Sequence, residues 1–296
     1  MAEIVLVHGI GQENKDQAEL ETAMVSALAA GLAAAGHPPL TATARLAYYA
    51  DLFSRPGGQG GGIEAGTPEQ EALFGKLLVD LLRHAAERGP EPADRRQAER
   101  ALRQADADCA GAQGPRALVR PLLNAITRVS TFSRHGFSVA ERFVRMPLWQ
   151  VTQYFTDERI RTAVRARVAG LIGADTRVVI AHSLGTVVAY EALHQLGRPL
   201  PLLITLGSPL GLRTVIYERL RPQPARVPPG LARWVNILDP DDLIAARPDL
   251  DRLFPGAADV VEPHVLVDNG AEPHAAGAYL RQAETGRPVG QVLRPV

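Results

Sequence analysis

The stretch Val178-Val179-Ile180-Ala181-His182-Ser183-Leu184-Gly185-Thr186-Val187-Val188-Ala189-Tyr190 decides how the chain is read. A β-branched apolar run ends in small-x-Ser-x-Gly and passes at once into an apolar segment with helix-compatible spacing. A serine there sits on a sharp strand-to-helix turn. The residues two before and two after it must be small for strand and helix to approach, and here they are Ala181 and Gly185. The turn lifts the hydroxyl out of the sheet at a helix N-terminus, where the dipole favours developing negative charge. A Ser-x-Gly pair alone says little. The full frame between a strand and a helix is specific, and its bland alternative is a tight turn with an incidental serine.

Working outward, Glu3 to Val7 is a continuous Ile/Val/Leu run stopped by His8-Gly9-Ile10-Gly11, the pattern of a strand buried on both faces. Asp16 to Ala35 reads as a helix halted at Gly36-His37-Pro38-Pro39, and Thr41 to Tyr49 as a second strand, which together start a βαβ unit. The alternation then breaks. Ser54 to Gly66 is a Gly-rich loop, Pro68 to about Arg103 is charged and helix-favouring, Asp106 to Gly114 interrupts it, and Arg116 to Trp149 is helical in pieces. Residues 52–148 therefore read as a helical insertion. Afterwards come a helix over Tyr154 to Ile172, a strand at Arg177 to Ala181, a helix at Leu184 to Leu196 and a strand at Leu200 to Leu206. Further strands are expected at Arg233 to Leu238 and His264 to Val267, with a Pro-rich loop from Pro222 to Pro229.

Composition narrows the classes. The chain has 296 residues, 46% hydrophobic and 22% charged, with 32 basic and 32 acidic residues. That composition is globular, and the zero net charge lacks the global footprint of a nucleic-acid binder. Cys109 is the one cysteine, so no intrachain disulfide is expected. The N-terminus lacks a basic signal-peptide region, and no apolar run reaches transmembrane length, so a cytoplasmic protein is the expectation.

The Ala181-His182-Ser183-Leu184-Gly185 frame and the first strand ending in Val7-His8-Gly9-Ile10-Gly11 resemble the α/β-hydrolase superfamily, in its lipase/esterase-like branch. Ala181 stands where most members have Gly. The resemblance covers about 1–50 and 150–296. It implies one α/β domain over 1–296, a mainly parallel sheet flanked by helices, with 52–148 as a cap inserted into it. It also implies an oxyanion hole from the backbone N–H groups of Ile10 and Leu184, and a triad in the chain order serine, acid, histidine.

Ser183 is the expected nucleophile. For the acid, Asp239-Pro240-Asp241-Asp242 follows a late strand, and Asp242 is favoured ahead of Asp239, with Asp241 behind both. His274, after the last strand and before a short helix with Tyr279-Leu280, is favoured as base over His264 at that strand's start. His194 follows the serine too closely. His182 reads as a packing neighbour of the turn, and His37, His84 and His135 as solvent-exposed. Ser208, in Gly207-Ser208-Pro209-Leu210-Gly211, competes only weakly because it lacks the frame. A dinucleotide-loop reading of His8-Gly9-Ile10-Gly11 fails because position 14 is Asn14 and not the third glycine.

The expected function is hydrolysis of carboxylic esters through an acyl-enzyme, without metal or cofactor. A thioesterase, peptidase or acyltransferase uses the same triad, and a non-catalytic binding protein is the rival from another class. From Arg116 to Arg167 ten arginines face three acidic residues, interleaved with Phe132, Phe137, Phe143 and Trp149. That stretch is compatible with a lipid-like or anionic ester, or with an anionic membrane surface. The favoured reading is nevertheless the plainer one, an ordinary amphipathic cap whose arginines are solvated. Nucleic acid is not an expected partner, and oligomeric state is not readable.

Overall fold

The computed structural model describes residues 2–53, 67–89, 91–109, 122–124, 126, 137–245, 249–256 and 258–294. These form an α/β fold around an open, all-parallel six-stranded sheet flanked by helices. The strands are β1 (Ile4–Val7), β2 (Ala44–Ala47), β3 (Val178–His182), β4 (Leu202–Leu206), β5 (Trp234–Leu238) and β6 (Val265–Leu266), in the order β2-β1-β3-β4-β5-β6. From β1 the chain first steps one way to β2 and then the other way to β3, so the order reverses between β1 and β3. In open parallel sheets the crevice beyond the strand C-termini at such a point is where ligands bind.

Every residue of β1, β3, β4 and β5 is buried, which is why they read as unbroken apolar runs. Alternate residues serve opposite faces. Ile4, Leu6, Val178, Ile180, Leu202, Ile204, Val235 and Ile237 share one core with Leu20, Met24, Leu28 and Leu32 of helix α1 (Gln17–Ala34) and with the C-terminal segment. That segment comprises the helices Ala276–Arg281 and Ala283–Leu293, which contribute Tyr279, Leu280 and Val289. The Trp234 ring is clustered instead with Tyr190 and Phe254.

The edge strands β2 and β6 are shorter than expected from Thr41–Tyr49 and His264–Val267; past β2 the Tyr49 N–H donates to the His8 ring instead of to a strand. Asp157 splits the helix expected over Tyr154–Ile172 in two. Its carboxylate accepts from the N–H groups of Arg159 at 2.9 Å and Ile160 at 3.3 Å, so it caps a new helix, Glu158–Leu171, after one that ends at Thr156.

The chain divides into two compact units, Met1–Leu52 with Thr162–Val296, and Phe53–Arg161. In the second unit, the helix Pro68–Arg88 starts from a capping box between Thr67 and Gln70 and buries Leu73, Phe74, Leu77, Leu78, Leu81 and Leu82. The helices Pro92–Cys109 and Phe137–Thr156 pack against it. The Gly-rich segment and, within the arginine-rich stretch, residues 116–121, 125 and 127–136 lie outside the described residues. Of the arginines that are described, Arg161 stacks over Tyr154 and Phe155, Arg165 is buried 3.9 Å from Glu191, and Arg167 pairs with Asp51. Arg159 is exposed to solvent. No helix among the described residues is long and apolar enough to cross a membrane.

Candidate active site

Ser183 joins β3 to the helix Leu184–Leu196 with φ 53° and ψ −130°, and among the described residues no other non-glycine has positive φ. Such a conformation costs about 1–3 kcal/mol and persists only where the surroundings over-determine it. Here they do. The Ser183 N–H donates to the Leu206 carbonyl at 3.0 Å, extending the β3–β4 ladder. The Ser183 carbonyl accepts from the N–H of Thr186 at 2.9 Å and from its hydroxyl at 2.8 Å. The end of β1 presses on the turn from the other side. A Cβ on Gly185 would stand 2.4 Å from the His8 carbonyl oxygen, and one on Gly9 would stand 2.8 Å from the Ser183 Cβ. Both glycines are therefore required by close approach.

His274 lies in the loop after β6, and its ring meets both expected partners. Nε2 is 3.0 Å from Ser183 Oγ and Nδ1 is 2.7 Å from Asp242 Oδ2. The His274 side chain is 33% exposed, whereas that of Asp242 is fully buried. Oδ2 of Asp242 also accepts from the Tyr279 hydroxyl at 2.7 Å, and Oδ1 accepts from the N–H groups of Ile244 at 2.9 Å and Ala245 at 3.3 Å. Burial alone would raise this carboxyl's pKa. The facing His274 and the hydrogen bonds from His274, Tyr279 and Ile244 outweigh it and hold the group below the usual carboxylate value. A fixed anion at Nδ1 selects the neutral tautomer that carries its proton there. Nε2 then presents a lone pair to the Ser183 hydroxyl, the arrangement a general base needs.

The other candidates fall elsewhere. Asp239 accepts from the N–H groups of Asp241 at 2.8 Å and Asn269 at 2.6 Å, so it ties β5 to the loop that leads to His274. Burial raises its pKa. Asp241 is exposed. His264 has its Nδ1 3.9 Å from Asp249 and does not reach Ser183. Ser208 shares a hydrogen bond with Thr186 and accepts from the Leu210 N–H, capping its own short turn. His194 bonds the Arg226 carbonyl. His37 and His84 are half-buried where exposure was expected, His37 because its ring lies against Gly290. His135 lies outside the described residues.

The two expected oxyanion donors border the serine. Leu184 is the first residue of its helix, where an N–H has no intrahelical acceptor. Ile10 follows Gly9, which touches Ser183.

Three contributors escape a sequence reading. The Tyr279 hydroxyl accepts from the Asp239 N–H at 2.9 Å while donating to Asp242, so it bridges Asp242 to the end of β5. Gly207, at φ +51°, lies under Asp242 and His274, where a Cβ would stand 2.6 Å from Asp242 Oδ2 and 3.2 Å from His274 Nδ1. His182 is more than a packing neighbour. Its Nε2–H donates to the His274 carbonyl at 2.9 Å, and burial together with the neighbouring His274 pushes its pKa down to about 3. The sequence holds a hint for Gly207 in the Gly-Ser-Pro turn and for His182 in its place beside the serine. For Tyr279 it holds none, because the contact joins positions distant along the chain.

Among the described residues, no group of three His, Cys, Asp or Glu side chains could hold a metal ion. Comparison with protein-family models, with curated proteins and with solved structures finds no match to this chain.

Proposed function

We propose that this protein is a serine hydrolase of the α/β-hydrolase type that cleaves carboxylic esters through an acyl-enzyme. The observation that carries the reading is the hydrogen-bonded chain Ser183–His274–Asp242 built on a serine held at φ 53°. Strain of that kind is kept where it positions a reacting group. Its place at the reversal of strand order and the chain order serine, acid, histidine add to it.

His274 Nε2 takes the Ser183 proton as Oγ attacks the ester carbonyl carbon. The oxygen that becomes negative is met by the N–H groups of Ile10 and Leu184. Asp242 stabilises the charged imidazole and stays ionised. His274 then gives the proton to the departing alcohol as the C–O bond breaks. Water, activated by the same nitrogen, attacks the acyl group, and the acid and free Ser183 are released. Thioesters, amides and acyl acceptors other than water fit the same acyl-enzyme, and leaving-group preference distinguishes them.

A panel of p-nitrophenyl esters of increasing acyl length, with thioester and anilide counterparts, tests the reading. The account expects ester turnover that falls at least about 10⁴-fold in Ser183→Ala, with KM little changed for substrate still bound. Turnover that persists in Ser183→Ala overturns it. A folded wild-type protein inert to every member supports the binding-protein alternative.

A further inference from the structure

Another buried histidine lies just past the end of β1. His8 is 2% exposed, its ring stacked 4.0 Å from that of Tyr49, two residues past β2. The Tyr49 N–H donates to His8 Nε2 at 3.0 Å, so that nitrogen bears the lone pair. The proton is then on Nδ1, which donates to the Gly9 carbonyl at 2.6 Å. The Tyr49 hydroxyl donates to the His8 carbonyl and closes the clamp. Burial keeps the ring neutral, its pKa pushed down to about 4, so it can donate at one nitrogen and accept at the other.

The Gly9 carbonyl and the Ile10 N–H belong to one peptide group, and in a trans peptide they point in opposite directions. Holding the oxygen toward His8 turns the Ile10 N–H away from it. Gln12 steadies the next peptide by donating from Nε2 to the Ile10 carbonyl at 3.1 Å. Gly9 itself lies against Ser183 and the His182 ring, so this peptide starts at the nucleophile. We propose that His8 is a positioning residue that fixes the direction of the Ile10 N–H through the Gly9 carbonyl and so sets the oxyanion hole before substrate arrives. The proposal rests on the reading of Ile10 as an oxyanion donor.

Three substitutions separate this role from simple packing. Asn at position 8 places an amide N–H near the Nδ1 position and keeps the donor to Gly9. Gln places its amide near the Nε2 position and keeps only the acceptor for Tyr49. Leu keeps neither. Steady-state kinetics on an activated ester should show His8→Gln and His8→Leu lowering kcat about 10–100-fold with KM within about twofold, a fraction of the loss of one oxyanion donor. His8→Asn should retain kcat within about threefold of wild type. Affinity for a trifluoromethyl ketone, whose adduct with Ser183 carries an oxyanion, should fall in step with kcat.

Wild-type kcat in His8→Gln overturns the proposal, as does loss of activity in all three variants in proportion to lost thermal stability. Nitrogen NMR of the wild-type imidazole supplies a reading independent of any variant's folding. The Nδ1–H tautomer supports the proposal and the Nε2–H tautomer overturns it. Active-site titration of wild type at Ser183 separates the two levels: a protein that fails it removes the hydrolase reading and this inference together, whereas one that passes with an insensitive His8 removes this inference alone.

Discussion

Asp242 shows what a buried carboxylate requires. It accepts four hydrogen bonds, two at each oxygen, and the two at Oδ2 come from His274 and Tyr279. Asp242→Asn replaces the anion with an amide that no longer selects the Nδ1–H tautomer of His274. We expect kcat to fall about 10⁴-fold with little change in KM. Asp239→Asn, which touches only the loop clamp at Asn269 and Asp241, should cost at most about tenfold in kcat, measured on the same ester. Tyr279→Phe leaves the buried carboxylate short of one donor and the Asp239 N–H short of its acceptor. Urea unfolding should show a loss of about 1.5–3 kcal/mol, the range for a hydrogen bond to a charged group.

At the scale of elements, the strand–serine–helix corner is held by glycines whose places are steric. Gly185→Ala would drive a methyl into the His8 and Val7 carbonyl oxygens, which are backbone and cannot swing aside. We expect a lower thermal midpoint and at least about tenfold lower kcat, since the loop that carries Ile10 must shift. This corner was legible in sequence because each of its requirements leaves a residue-level mark: a β-branched run, small flanking residues, a serine, a helix. β1, β3, β4 and β5 were legible for a related reason, since burial on both faces leaves no polar interruption. The break at Asp157 was less legible, because a cap inside an amphipathic pattern looks like one more polar-face residue. Asp242 over Asp239 came from the layout that the family resemblance implies, an acid a few residues past the strand, whereas the contacts that hold it, from His274 and the Tyr279 hydroxyl, are tertiary and have no local signature. β2 was over-extended because its apolar pattern continues to Tyr49, whose N–H turns to the His8 ring, a contact with no local signature.

Across the whole molecule, buried neutral histidines make stability depend on pH. His8 and His182 have pKa values pushed to about 4 and about 3 by burial, against 6.5 for a free imidazole. Below about 6.5 the unfolded chain takes up protons that the folded chain refuses, so stability is complete above that pH and falls as the solution is acidified toward 4. Each histidine contributes up to about 1.4 kcal/mol per pH unit within its window. Asp239, raised by burial, acts in the opposite sense. The thermal midpoint should therefore drop between about pH 6.5 and 4.5, less steeply in His8→Asn, and a flat midpoint would contradict the buried-neutral assignment.

All of the kinetic expectations turn on Ser183 being a nucleophile activated by His274. The most direct measurement of this is labelling of the intact protein with a fluorophosphonate probe, followed by peptide mass spectrometry to locate the adduct. We expect a single adduct on Ser183, absent in Ser183→Ala and formed much more slowly in His274→Ala. No adduct on the folded wild-type protein, or undiminished labelling of Ser183→Ala at Ser208 or any other residue, would contradict it.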